Sequence, residues 1–476
     1  MNYNVLTEPW IPARHPDGSV REYGVLDLLE HAHELTEITD AMPNYEYGMY
    51  RFLFVFLMDA CRPKRQRDIR ALLEKGSFDM DVIREYVERC NRDGERFDLL
   101  DEKHPFMQQA DGWDKAEPKS PANLNPALPS GNNHVHFDHT MESTSSMTLK
   151  EAAKALCAIN LFCAAGVQGY PSTPSGAPPV YTIVKGETLF QTLTFGMVPS
   201  VLFEPYDHPG AVWREEVLVI PKEKVASVSL LYGLLFPCRR VRLRVQAETV
   251  YAVDFEQGMN YENYEAWNDP FVTYAQGKQG RTNLKPNMDK ENWRNLGTIL
   301  NKTDGAPYVV LQSAEMTEAS HIVLVTYSAV TNQMNYLDLQ RGEYVVPISV
   351  LNNNLYYDHL CRMIQSTEKH GGDLSKNIYF LQKALNRTDG AEASERTRTM
   401  ERYYFRCRQA FFEEMDQIPS LDSSKLNDAE DKWETRINGI RWSEYHQFVN
   451  RLGTESRLYL EAEKIKAQTV RKEGKT

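Results

Sequence analysis

Residues 320–339, SHIVLVTYSAVTNQMNYLDL, hold two half-apolar runs on either side of Asn332-Gln333. The β-branched and aromatic content of both runs predicts strands, and the polar break between them predicts a hairpin. Neither amide completes a β-alternation, and no Gly follows Asn332 to form the common two-residue turn. A dozen residues later the pattern changes. From Leu355, LYYDHLCRMIQSTEK (Leu355–Lys369) repeats its apolar residues at helical spacing, and no strand signal follows. Further helical patterns cover Leu374–Leu385, Ser394–Gln417 and about 428–451, with a basic segment from Arg457 and with Gly371-Gly372 and Pro419 as punctuation. The fold class expected is α+β: a mixed α/β body with β-hairpins over residues 1–352, then a C-terminal antiparallel four-helix bundle over 353–476.

Upstream, the patterns mix. GVLDLLEHAHEL and YGMYRFLFVFLMDACR have helical spacing, and the second is apolar on most sides, which predicts a buried core helix. SFDMDVIREYVERCNR predicts an amphipathic helix capped by Ser77. TLKEAAKALCAINLFCAAG carries a Thr148/Glu151 capping box and places Gly166 where a left-handed terminal residue belongs. Strands are expected in VYTIVKG, LFQTLTFGM, VRLRVQAETVYAVDF and APYVVLQS, and a short one in YNVLTEPWIPAR.

At 476 residues the chain exceeds what one core usually serves. Its 25% charged and 42% hydrophobic composition is that of a folded protein. A net charge of −12 means that any polyanion must be met by a local patch or through a partner. The seven cysteines are scattered without a C-x-x-C, as in a protein of the reducing cytoplasm. No basic-then-apolar leader opens the chain and no apolar run reaches the roughly 20 residues of a membrane span. A soluble cytoplasmic protein is expected.

Three constellations carry chemistry, each with a plainer reading. NNHVHFDHT groups His134, His136, Asp138 and His139, which could hold a divalent ion for a hydrolase; a polar loop is the plainer reading. The stretch Gly166–Pro179 is dominated by Gly, Pro, Ser, Thr and Ala. Its glycines permit close backbone approach to a ligand, and it has no Walker Lys-Ser or Lys-Thr; a surface connection is the alternative. Arg398, Arg402 and Arg406 stack on one helix face, suited either to phosphates or to pairing with Glu395 and Glu401. No nucleophile–base arrangement stands out, so catalysis is not signalled.

NVLTEPWIP at the start, HPFMQ (His104–Gln108), FDHT (Phe137–Thr140) and WRNLGTIL (Trp293–Leu300) resemble, in order and spacing over nearly the whole chain, the large subunit of type I-E CRISPR surveillance complexes, the CasA family of Cascade. The resemblance implies a non-enzymatic subunit without cofactor. It would read the protospacer-adjacent motif (PAM) in double-stranded target DNA, start the R-loop and dock a helicase-nuclease. It would assemble with guide RNA and with the backbone, handle-binding and small subunits. The PAM loop would be Gly166–Gly176, centred on Gly166, Gln168 and Gly169. The wedge would be Asn332 and Gln333. A loop with Asn132, Asn133, His134, His136 and Phe137 would touch guide RNA or a neighbouring subunit, so its histidines need no metal. Arg398, Arg402 and Arg406 would hold a DNA backbone. Two departures stand out. The stretch where the family often carries a lysine finger, DFEQGMNYENYEAWNDP, has no Lys or Arg, leaving Lys278 and Lys285 beyond it. Some members bind zinc through paired cysteines here, whereas Cys238 stands alone in sequence.

Overall fold

In the computed structural model the chain forms two compact units, Met1–Val345 and Val346–Thr476. The structure describes residues 2–113, 117–125, 146–163, 170–202, 210–215, 219–277, 280–332, 335–387 and 391–473. The first unit mixes helices with small, mainly antiparallel sheets, and the second is helical, so the fold is α+β.

The first unit is built around α2 (Pro43–Cys61), which starts with Pro43 at the position where a missing N–H costs nothing. Nearly every side chain along it is buried, as expected of a helix apolar all round. It packs against α5 (Leu149–Phe162), where a Cβ on Gly48 would lie 3.0 Å from Ala158. Only glycine allows that approach without the neighbour shifting. Within this apolar helix Arg51 is fully buried and makes a bidentate pair with Asp269 (3.1 and 2.8 Å), its guanidinium lying over the rings of Tyr47, Tyr181 and Phe271. The carboxylate and the three ring faces therefore offset the buried charge.

Around α2 lie β1 (Ile11–Arg14), β2 (Val20–Tyr23) and β3 (Glu37–Ile38) in one sheet, with α1 (Val25–Glu30), α3 (Gln66–Lys75) and α4 (Met80–Cys90). Two of the ordered sequence blocks are core determinants. Trp10 is fully buried, with Nε1 donating to Val5 O at 2.8 Å. Phe106 stands edge-on to Phe52, and Gln108 bridges Leu99 O and Leu243 N.

A second sheet joins β4 (Met147–Thr148) to β8 (Thr249–Gln257), which pairs with β7 (Arg239–Gln246). A third sets β5 (Tyr181–Lys185) beside β12 (His321–Asn332), with Tyr181 opposite Tyr327, and then β13 (Asn335–Pro347). Tyr327 is pushed well above the ordinary phenol range, first by burial and then by the Glu46 charge. It therefore stays protonated and donates to Glu46 Oε1 at 2.5 Å, an acceptor shared with Arg341 Nε at 2.8 Å. The two-residue strands β6 (Lys224–Val225) and β9 (Asn260–Tyr261) pair in parallel, and β10 (Tyr274–Gly277) pairs with β11 (Gly280–Asn283). Short helices α6 (Leu189–Phe195), α7 (Leu230–Gly233), α8 (Leu296–Ile299) and α9 (Tyr308–Met316) complete the unit.

Several sequence expectations change here. LFQTLTFGM and APYVVLQS are helices α6 and α9, not strands. Their β-branched residues suggest extended chain, but Thr188 caps α6 by accepting from Gln191 N (3.2 Å), and Pro307 stands at the start of α9. The cap of α4 is Asp79 rather than Ser77, accepting from Asp81 N and Val82 N.

The second unit consists of α10 (Ile348–Asn352), α11 (Asn354–Ala384), α12 (Ala391–Gln417), α13 (Leu426–Leu452) and α14 (Ser456–Glu473). Two helices expected on either side of Gly371-Gly372 are one. A Cβ at Gly371 would meet the Tyr404 hydroxyl at 2.5 Å, so this glycine serves the contact with α12 and does not end the helix. The basic segment from Arg457 is likewise helical, in α14. Among the described residues no helix is long and apolar enough to cross a membrane.

Candidate nucleic-acid interface

Helix α5 leads into the glycine-rich stretch. Its start is fixed by the reciprocal capping box, Thr148 N to Glu151 Oε2 (2.8 Å) and Glu151 N to Thr148 Oγ1 (3.3 Å). Its end is Phe162, followed by Cys163. Gly166, Gln168 and Gly169 lie outside the described residues. The chain is described again from Tyr170, where it is tied down from β7. Arg239 Nη1 donates to Pro171 O at 2.7 Å, and its guanidinium lies 4.7 Å from the Tyr170 ring centre. Lys119 Nζ reaches the Tyr170 hydroxyl (3.3 Å) and Phe255 O (2.9 Å). A tight turn follows, with Gly176 N donating to Thr173 O (2.8 Å) and Gly176 at φ +78, where a side chain would be strained.

The long hairpin β12–β13 comes to the same place. Asn332 ends β12, and its side chain and Gln333 lie outside the described residues. Just beyond, the Tyr336 hydroxyl donates to Phe162 O, the last carbonyl of α5. Such terminal carbonyls have no partner within their own helix, so the phenol supplies one. The tip end of hairpin β12–β13 and the entry to the glycine-rich stretch are thus in direct contact.

A third element adjoins them. Asn283 at the end of β11 donates through Nδ2 to Ser175 O in the turn after the glycine segment. Arg281 on β11 is exposed and stacks on Tyr274 at 3.7 Å from the ring centre. Lys285 is exposed just past the strand, and Lys278, between β10 and β11 in sequence, is outside the described residues. The sequence reading singled out neither Arg281 nor the anchors Arg239, Tyr170 and Tyr336. Arg281 stands with Lys278 and Lys285 in a short basic run that was legible; the anchors act through contacts 68 and 174 residues apart, which no local pattern carries.

Cys238 does not stand alone in space: its Sγ is 3.1 Å from that of Cys163. Of the remaining cations of β7, Arg240 pairs with Glu256 and Arg244 with Asp254, while Arg242 donates to Asp101 O at 3.2 Å.

The arginine trio divides. Glu444 of α13 is buried and accepts from Arg402 Nε (3.3 Å) and Arg406 Nη1 (2.8 Å), while Arg402 also binds Glu395 (3.0 Å). Arg398 is exposed. Two of the three guanidiniums therefore bind α12 to α13.

Asn132, Asn133, His134, His136, Phe137, Asp138 and His139 lie outside the described residues. Among the described residues no three His, Cys, Asp or Glu side chains are grouped to hold a metal ion.

Residues 4–443 match the family model of CRISPR-associated protein Cse1. The chain belongs to the Cse1 (CasA) family. A Cse1 relative from Thermus thermophilus, a CRISPR-associated CasA/Cse1 protein, is 28% identical over 405 residues, covering 80% of this chain and 78% of the relative. The solved structure of Thermus thermophilus CasA (Cse1) superposes with a TM-score of 0.81 at 22% identity, covering 100% of this chain and 99% of that one. Thermobifida fusca Cse1 gives 0.81 at 18% identity, covering 98% and 96%. A chain of a CRISPR RNA-guided surveillance complex gives 0.78 at 18% identity, covering 98% and 99%. At these identities the structures share the Cse1 fold.

Proposed function

We propose that this Cse1 protein is the non-catalytic large subunit of a type I-E surveillance complex, which reads the PAM and opens the adjacent duplex. The observation that carries this reading is the Tyr336–Phe162 contact, which joins the tip end of hairpin β12–β13 to the end of helix α5. Family membership and the likeness to a chain of an RNA-guided surveillance complex support it.

In this reading Gly166, Gln168 and Gly169 approach the minor groove, where the base-edge pattern is degenerate and a small-residue backbone senses the guanine amino group by fit. Asn332 and Gln333 enter the stack beside the PAM. Unstacking a base step costs a few kcal/mol, which planar amides offset by stacking and hydrogen bonding. R-loop exchange is nearly balanced, so a small local bias at the PAM end starts it. Lys278, Arg281 and Lys285, on and beside hairpin β10–β11, take the place of the absent lysine finger as phosphate contacts. Asn132, Asn133, His134, His136 and Phe137 meet the guide RNA or a neighbouring subunit. The C-terminal helices act as an antiparallel bundle, with Arg398 facing the DNA backbone, and the complex recruits its helicase-nuclease in the cytoplasm.

The test is the double substitution Asn332→Ala with Gln333→Ala in the assembled complex, read by a fluorescent base analogue in the first pairs beside the PAM. Loss of opening with normal assembly is the expected result. Normal opening by the double variant removes the wedge assignment.

A further inference from the structure

Cys163 and Cys238 are 75 positions apart in sequence, yet their sulfurs are 3.1 Å apart in the interior of the first unit. Both sulfurs are buried, and polar groups stand beside them. Asn160 Oδ1 accepts from the Cys238 thiol (3.4 Å) and from Arg239 N (2.8 Å), and Asn160 O lies within 3.9 Å of Cys163 Sγ. The Arg239 guanidinium, next to Cys238 in the chain, binds Pro171 O and Cys238 O. Asn160, Pro237 and Arg239, neighbours of the two cysteines, also line a cavity of about 320 Å³, although neither sulfur lines it. The Cys163 thiol is drawn down, first by its hydrogen bond with Cys238 and then, against burial, by the Arg239 charge. The thiolate is the reactive form of a cysteine, and the Arg239 charge beside the pair favours it.

We propose that Cys163 and Cys238 are a dithiol–disulfide modification site, oxidised by hydrogen peroxide, that pins the entry of the glycine segment to strand β7. The chemistry balances. Cys163 releases its proton, and its sulfur attacks one peroxide oxygen. The O–O bond breaks, and the departing hydroxide takes up that proton as water, leaving a sulfenic acid on Cys163. The Cys238 sulfur then attacks the Cys163 sulfur, the S–O bond breaks, and hydroxide leaves with the Cys238 proton as a second water. Two thiols are oxidised to one disulfide and one peroxide is reduced to two waters. A thiol reductant reverses the step by exchange.

Position gives the site its meaning. Cys163 directly precedes residues 164–169, and Arg239 beside Cys238 already holds Tyr170 and Pro171 where the chain leaves that stretch. A disulfide would fix the other end. Its consequence for DNA rests on the PAM-loop reading above.

The folded full-length protein is treated with hydrogen peroxide, the remaining thiols are blocked under denaturing conditions, and the peptides are mapped by mass spectrometry. The expected product is a Cys163–Cys238 linked pair, two hydrogens lighter and lost on adding dithiothreitol. The Cys238→Ser variant instead accumulates a sulfenic acid at Cys163 that dimedone traps. Amide exchange over residues 164–169 slows several-fold on oxidation of the unsubstituted protein and is unchanged in Cys238→Ser. If both thiols remain free while the half-exposed Cys61 and Cys361 are oxidised, the proposal is overturned. It is equally overturned if the linked protein exchanges those amides as fast as the reduced one. Neither measurement uses DNA, so both stand apart from the outcome of the Asn332/Gln333 test.

Discussion

Tyr336→Phe removes one oxygen atom and with it the contact between hairpin β12–β13 and the end of α5. The half-buried ring keeps its packing, so what is lost is a hydrogen bond worth about 1 kcal/mol net, plus part of the cost of leaving Phe162 O unpaired. Because the site is only half-buried, a total of about 1–2 kcal/mol is expected, or roughly a 5- to 30-fold loss in the docked population of this end of the hairpin. Global stability should hardly register it: in a unit larger than 300 residues, about 1 kcal/mol moves the melting midpoint by roughly 2 °C or less. The assay is the PAM-proximal base-analogue signal of the assembled complex, alongside a thermal melt of the isolated subunit. Opening should fall by about the population factor. Unchanged opening refutes the coupling of hairpin to helix end. A melting midpoint lowered by about 10 °C or more refutes it differently, by making the contact part of the core.

Arg402→Ala and Arg406→Ala should each destabilise the helical unit by about 1 kcal/mol in urea unfolding, since both guanidiniums are partly solvated. Arg398→Ala should leave stability within about 0.5 kcal/mol and instead lower the salt dependence of DNA binding by the complex by about one phosphate contact. Asp269→Ala should cost about 3–5 kcal/mol in denaturant unfolding by leaving Arg51 buried without its partner, and Arg51→Met in that background should recover part of the loss. The helical unit should also weaken with acid. Burial lowers the pKa of His359, beside Glu430 and Arg362, and of His370, beside Glu434, Ser366, Lys369 and Arg441, with the carboxylates opposing. A histidine whose folded value lies below its unfolded 6.5 contributes stability that is complete above pH 6.5 and is lost as pH falls through the folded value. Unfolding midpoints between pH 7.5 and 5.5 should therefore decline, and His359→Gln with His370→Gln should flatten the decline.

The residues explain how far the sequence could be read. The Thr148/Glu151 box and the all-apolar α2 are local patterns, and both elements form as the patterns require. The β-branched residues of α6 and α9 mislead because a short buried segment has the same composition in either conformation; Thr188 and Pro307 were the better signals. Gly371-Gly372 reads as a break, since the ring of Tyr404 that fills the gap comes from another helix. At the candidate interface, Arg281, Lys278 and Lys285 were visible as charge. The contacts of Tyr336 with Phe162, of Arg239 with Pro171 and of Cys163 with Cys238 depend on the tertiary fold, and a one-dimensional pattern does not encode them.

The pairing of Arg51 with Asp269 also constrains how the chain can be made. Helix α2 is complete after some sixty residues of synthesis, but the carboxylate that neutralises it is added 218 positions after Arg51. The strand that faces β5 across Tyr181 comes later still, at His321–Asn332. A nascent chain therefore carries an apolar helix with an unmatched cation until most of the first unit has left the ribosome. C-terminally shortened fragments ending before residue 269 should be degraded or aggregate, whereas cuts after Val345 spare every partner of α2 named above.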